Sequence, residues 1–245
     1  MSMTGQLTAE DLRRYSRHLL LPGFGVEGQV RLLHASALLV GLGRQGMAAS
    51  LYLAAAGVGR LGLVEPEDGE GLDFVHYSSC GEESALAGAA PRRLQALNPA
   101  VRVEEYLQAS MADLVARYDV VVGCVRSARW RQELNRLCLA QGKPLVGAAV
   151  RGWEGHAFTM VPGEGPCWNC VFPDDSDGVL TEGLGSLVAG AVGILQATEA
   201  IKVLLGLGEP LSRRYLFLDG MTGRFRQVKC HVDPGCPYCS GQKGE

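Results

Sequence analysis

The sequence predicts an α/β fold: a mostly parallel sheet with helices on both faces, followed by a C-terminal antiparallel lobe that carries paired cysteines. Three observations lead there. A short apolar run over 35–40 meets a glycine turn and then a helical stretch. Further apolar runs alternate with helical segments as far as Val150, the pattern of parallel strands covered on both faces. Beyond Val150 come hairpin-like runs, one long apolar segment and two C-x-x-C pairs.

In chain order, 8–21 reads as a helix. Thr8 can cap it, Asp11 stands near the capping-box position, and Leu12, Tyr15 and Leu19 recur at roughly helical spacing before Pro22-Gly23 ends it. A second short helix is expected over 29–33. The strand at 35–40, a helix over 47–56 stopped by Gly57, and a strand over 59–65 make one βαβ unit. A helix is expected over 82–97, strands over 102–106, 119–125 and 144–150, and a helix over 129–140. Residues 156–161 and 215–230 are expected to form antiparallel hairpins around a long helix over 184–205. No internal repeat or linker interrupts the chain. It reads as a single domain, 1–245, with a nucleotide-binding half over 1–150 and a cysteine-bearing half over 151–245.

The 245 residues are 47% hydrophobic and 20% charged, with a net charge of −3. That composition is ordinary for a globular protein and excludes collagen-like and disordered classes. No basic block offers a footprint for nucleic acid, so no nucleic-acid partner is expected. The longest uncharged apolar stretch, 183–198, contains Gln196 and falls short of the roughly 20 residues that span a bilayer. The first residues are polar and charged, which predicts no signal peptide and no membrane partner, hence a cytoplasmic chain. Eight cysteines in a reducing compartment point to metal binding or catalysis rather than disulfides.

Gly41, Gly43 and Gly46 form G-x-G-x-x-G between strand and helix. The first glycine allows a tight turn, the second lets backbone approach a phosphate, and the helix N-terminus attracts the anion. Glu65, at the end of the next strand, stands where an acid commonly binds ribose hydroxyls. This makes the fold Rossmann-like and points to an adenine nucleotide, without separating ATP from a dinucleotide. The glycines can also serve only to pack helix closely on sheet. Cys167, Cys170, Cys236 and Cys239 form two knuckles able to complete a closed Cys₄ zinc site, a structural one because no coordination position stays open. Gly235 is placed to supply the open turn of the second knuckle. A redox C-x-x-C is the weaker alternative, since neither knuckle is expected to open a helix after a strand. Cys80, Cys124, Cys138 and Cys230 read as small apolar residues.

These features, with R-Y-S-R-H at 14–18, L-N-P at 97–99, G-I-L-Q-A-T-E-A-I-K at 193–202, D-G-M-T-G-R-F-R at 219–226 and D-P-G-C-P-Y-C at 233–239, resemble the MoeB/ThiF/HesA family. These are bacterial relatives of the ubiquitin-activating enzymes, and the resemblance spans nearly the whole chain. It implies ATP binding, adenylation of the C-terminal glycine of a small ubiquitin-fold sulfur carrier ending in Gly-Gly, a structural zinc and a dimer. It further implies that Arg17 reaches the phosphates of a neighbouring protomer. The long apolar helix and its flanks are a candidate partner surface, although burial in the core explains them equally well.

The catalytic positions depart from the family pattern. His76 stands where the family has a phosphate-binding arginine, and the family's lysine has no counterpart unless Arg92 or Arg93 substitutes. Arg126 replaces the aspartate that binds Mg²⁺; a fixed cation repels that ion but can itself pair with a phosphate. Val179 stands nearest the position of a loop cysteine found in some members. Two readings follow. One is a carrier-binding protein with impaired or absent adenylation, a pseudo-enzyme homodimer or the partner of an active paralogue. The other is a working ATP-dependent adenylyltransferase with a rewired phosphate site. The losses at three positions favour the first. A third, an NAD-dependent oxidoreductase, rests on the glycine turn and Glu65 alone; His156 without a catalytic partner reads as structural.

Overall fold

In the computed structural model, the structure describes residues 7–66, 89–173 and 185–240. Helix α1 (Ala9–Arg14) begins at Thr8, whose side chain and that of Asp11 close the expected capping box. It ends earlier than its sequence pattern predicts. Tyr15 turns inward, 1% exposed, and its hydroxyl accepts from Asn98 Nδ2 at 2.8 Å. The chain then tightens into a 3₁₀ turn at His18–Leu20. Tertiary anchoring has overridden local helix spacing here. Helix α2 (Gly25–His34) is longer than expected, and its buried Gln29 donates to the Ala56 carbonyl at 3.0 Å.

Strand β1 (Ser36–Val40) is buried throughout, helix α3 (Arg44–Ala56) follows the glycine turn, and strand β2 (Arg60–Val64) closes the βαβ unit. Helix α4 (Ala89–Leu97) is the described part of the helix expected over 82–97. Next come strand β3 (Arg102–Tyr106), helix α5 (Met111–Ala116), strand β4 (Val120–Gly123), helix α6 (Ala128–Ala140) and strand β5 (Leu145–Arg151). The sequence reading had no α5; its one-and-a-half turns start on a Ser110 cap, with Asp113 N–H donating to Ser110 Oγ. Strand β6 (Glu154–Met160), the single turn α7 (Trp168–Val171), helix α8 (Gly185–Leu205) and strands β7 (Arg214–Asp219) and β8 (Arg224–Lys229) complete the chain.

All eight strands join one sheet in the order β3-β2-β1-β4-β5-β6-β7-β8. From β3 to β5 the pairing is parallel, and β6, β7 and β8 add antiparallel beyond β5. The antiparallel part is thus a continuation of the same sheet. The chain steps outward from β1 to β2 and β3, then returns to the other side of β1 at β4. That reversal opens a crevice at the carboxyl ends of β1 and β4, the place where open α/β sheets bind ligands. Separate apolar clusters fill the two faces. One includes residues of α2, α3, α4 and α8, and the other residues of α5, α6 and both cysteine knuckles.

Helix α8 fixes the centre of this architecture. By length and mean hydropathy, 1.5, residues 187–205 are apolar enough to cross a bilayer. Yet the helix carries Glu199, 4% exposed, which accepts from Thr159 Oγ1 and Leu211 N–H, both at 2.7 Å, and pairs with Lys202. It also carries the fully buried Gln196. That amide donates to the Gly123 and Val146 carbonyls at 2.8 and 3.0 Å, and accepts from Gln45 Nε2 at 2.5 Å and from Cys124 Sγ at 3.4 Å. One side chain thereby ties α8 to α3, β4 and β5. Close approach of α3 needs Gly193, where a methyl would run into the Gln45 carbonyl.

Two outcomes follow. Gln196→Ala strands the buried Gln45 amide and two carbonyls, and is expected to cost about 1–3 kcal/mol in chemical denaturation. Gly193→Ala forces α3 and α8 apart and is expected to cost about 1–3 kcal/mol, with the urea midpoint falling accordingly.

Candidate nucleotide crevice and cysteine cluster

The glycine turn lies at the mouth of the β1–β4 crevice. Gly41 has φ +93°, and a methyl there would sit 2.5 Å from the Cys124 carbonyl oxygen, so this position demands glycine. A methyl at Gly46 would collide with the Gly41 carbonyl. Both glycines therefore do serve close packing, the alternative left open by the sequence. Gly43 is different: it is the N-cap of α3, extended and without a side chain over the first turn. It stands at the positive end of a 13-residue helix, an end that attracts anions. Glu65 stands beside the turn, and its carboxylate accepts from the Leu42 N–H. The acid expected to bind ribose thus also braces the turn.

The opposite wall runs from the end of β4 into α6. Arg126 is exposed there, one residue before Ser127, the N-cap of α6. Arg131, 6% exposed, donates to the Val125 carbonyl at 3.3 Å and to the Arg126 carbonyl. This buried guanidinium, which fixes the backbone beneath Arg126, was not foreseen; a charge recurring one helical turn past a strand end was the available signal. Cys124 is buried, and desolvation, followed by the nearby Glu65 charge, pushes its thiol far above the ordinary range. Burial pushes Cys138 up to about 12. Both are buried, the placement expected of small apolar residues. Cys230 is half-buried and also raised by burial. Arg92 and Arg93 are exposed on α4, and Arg17 is exposed next to the 3₁₀ turn. His76, Cys80 and Val179 lie outside the described residues.

Cys167, Cys170, Cys236 and Cys239 come together with all four Sγ atoms within 4.8 Å of one another. The Cys167–Cys170, Cys167–Cys236 and Cys170–Cys239 sulfurs are 3.8, 3.6 and 3.3 Å apart, and none of the thiols is bridged. Tetrahedral thiolate coordination at metal–sulfur distances of about 2.3 Å gives sulfur separations of about 3.8 Å, so the donor set fits a metal ion. Two details correct the sequence reading. The first knuckle does open a helix, the single turn α7 with Cys167 as its N-cap. That turn is held by Asn135 Oδ1, which accepts from Trp168 N–H at 2.9 Å and seats the knuckle on α6. Gly235 has no positive φ. Asp233 shapes the second knuckle instead, its carboxylate accepting from Gly235 N–H at 2.8 Å and its carbonyl from Cys236 N–H at 3.0 Å. Burial pushes the Cys236 thiol up, but hydrogen bonds from the Tyr238 and Cys239 backbone and from neighbouring thiols outweigh it and bring the thiol down to about 7. Burial pushes Cys167 up to about 11.

His156 lies in an aromatic group, with ring centroids 5.1 Å from Phe217, 5.6 Å from Tyr215 and 5.9 Å from Phe172. Strand register continues the row from His156 through Phe217 to the exposed Arg226. On the helical layer, Tyr52, Leu187 and Ile194 are 53%, 63% and 36% exposed, and only 39% of the apolar window in α8 is buried.

Comparison with known proteins agrees with this architecture. The ThiF family model matches residues 15–238. A Drosophila yakuba protein named adenylyltransferase and sulfurtransferase MOCS3 is 38% identical over 252 residues, covering 97% of this chain and 55% of the relative. The Bos taurus protein of that name is 40% identical over 248 residues, covering 95% and 54%. The chain thus spans about half the length of these relatives. Among solved structures, E. coli MccB superposes with a TM-score of 0.72 at 21% identity, covering 96% of this chain and 73% of that one. MccB crystallised with ATP gives 0.71 at 19% identity, covering 97% and 75%. At such identities the likeness is one of fold. With its Rossmann-like sheet, glycine turn, knuckles and family match over most of its length, the chain belongs to the ThiF family.

Proposed function

We infer that this chain docks a small ubiquitin-fold sulfur-carrier protein ending in Gly-Gly and holds an adenine nucleotide at the glycine turn, with adenylation of the carrier terminus weak or absent. The observation that carries the reading is the crevice itself: a glycine turn with Gly43 at a helix N-terminus on one wall, and Arg126 on the other. The turn suits a phosphate and Glu65 suits a ribose. In the family's reaction a carboxylate attacks the α-phosphate and expels pyrophosphate, so negative charge grows on the phosphates. Here the aspartate position is cationic and a phosphate-binding arginine is histidine, His76. Losing several charge-stabilising groups together slows such a step by orders of magnitude.

Residues 1–150 form the nucleotide-binding half and 151–245 the docking half. Support for docking comes from the half-buried His156–Tyr215–Phe217 row, which offers apolar surface, and from Arg224 and Arg226 on β8, which suit a carboxylate terminus. The exposed apolar residues of α3 and α8 form a pairing face for a second copy or an active paralogue, and exposed Arg17 can then reach a neighbour's phosphates. The cysteine cluster holds structural zinc: four soft thiolates with no open position suit that ion. Unbridged thiols this close suit a reducing, cytoplasmic location. The naming of the MOCS3 relatives favours a second reading, a working adenylyltransferase.

ATP–pyrophosphate exchange separates the two. With Mg²⁺ and a Gly-Gly-ended carrier, exchange is expected at least about 100-fold below that of an intact family member, and Arg126→Asp alone leaves it low. Exchange at the intact member's rate overturns the impaired reading in favour of the working enzyme. Metal analysis is expected to give one zinc per chain. Cys236→Ser is expected to lower that content and depress the melting temperature, since metal binding at such sites is folding free energy.

A further inference from the structure

We propose that the crevice between the carboxyl ends of β1 and β4 binds the phosphates of its nucleotide without a divalent cation, Arg126 acting as the fixed counter-charge in its place. The inference rests on the nucleotide-binding reading above.

The composition of the two walls comes first. Residues 40–46 and 123–131 contain no acidic residue and carry Arg44, Arg126, Arg129 and Arg131. Mg²⁺ is a hard cation that is held through carboxylate oxygens, usually one or two, and it dehydrates reluctantly. Among the described residues, the carboxylate beside the turn is Glu65, and its Oε2 is engaged with the Leu42 N–H. The donor set of these walls therefore does not fit a divalent cation. It fits an anion.

The fold then concentrates positive potential on the same spot. Both α3 and α6, each of 13 residues, begin at the crevice, and neither Gly43 nor Ser127 caps its first turn with a side-chain hydrogen bond. Their positive ends add to the guanidinium charges. The Cys124 carbonyl and Val125 press against Gly41, so the strand end that presents Arg126 abuts the turn expected to cradle phosphate. Arg131 sits one turn into α6, buried, on the wrong end of that helix's dipole. Its two bonds to the Val125 and Arg126 carbonyls keep the backbone under Arg126 in one place. A guanidinium on a fixed backbone offers a planar fork to phosphate oxygens, where an aspartate would need a metal between itself and the same oxygens.

Calorimetric titration of the full chain with ATP tests this, in excess Mg²⁺ and in EDTA, for the wild type, Arg126→Ala and Arg126→Asp, with adenosine as a probe that has no phosphate. The wild type is expected to bind ATP within about threefold of the same Kd in both buffers. Arg126→Ala is expected to weaken ATP at least about tenfold in EDTA, the loss of one charge-assisted contact, while adenosine affinity holds. Arg126→Asp is expected to bind ATP only when Mg²⁺ is supplied. Arg126 is exposed, so the variants are expected to stay folded, and circular dichroism checks that. ATP binding by the wild type that requires Mg²⁺, or an Arg126→Ala variant that binds ATP like the wild type in EDTA, overturns the inference while leaving the nucleotide site standing. Absence of both ATP and adenosine binding in either buffer overturns the two together.

Discussion

The buried amide of Gln196 is the constraint on which the rest of the molecule depends. It sits on an otherwise apolar helix and meets α3 through Gln45, β4 through Gly123 and β5 through Val146. An unsatisfied amide in such surroundings is costly, so the register of α8 against the sheet admits little freedom. The glycine turn lies directly above: Gln45 is in the first turn of α3, and Gly123 is the last residue of β4. The shape of the crevice is thus set from below by hydrogen bonding, while Gly41 and Gly46 set it from above by the absence of side chains.

Much of this was legible in the sequence. The βαβ unit, the strands at 102–106 and 144–150 and the long helix came from hydrophobic periodicity, which burial enforces directly. The four cysteines were legible because their spacing is itself the chemistry of the site. Elements governed by distant contacts were not legible. Residues 8–21 carry helical spacing throughout, but Tyr15 is needed in the core against Asn98 and ends the helix early. Helix α5 is short and depends on its Ser110 cap. The second knuckle looked like a task for Gly235, whereas Asp233 performs it through hydrogen bonds that spacing does not reveal. Nor could periodicity show that the antiparallel strands extend the first sheet, because pairing of β6 with β5 is a matter of three dimensions.

Within the candidate site, sequence located the groups but not their sharing of roles. Glu65 was read as a ribose ligand, and the structure adds that it braces the Leu42 amide. The glycines were read as either phosphate-binding or packing residues. The geometry packs Gly41 and Gly46 tightly and puts Gly43 at the helix entrance. The contribution of Arg131 shows in the sequence only as a charge one helical turn past a strand end, which does not reveal its grip on two carbonyls.

The cysteine pairs flank the antiparallel half of the sheet in an uneven way. Cys167 and Cys170 come just after β6, whereas Cys236 and Cys239 come only after β8. Joining them closes a loop that encloses α8, β7 and β8, and closing so long a loop is entropically demanding unless the intervening chain is already in place. An ion able to sit among the four sulfurs would therefore fasten the first segment of that half to its last, sealing a unit arranged around α8 rather than nucleating it.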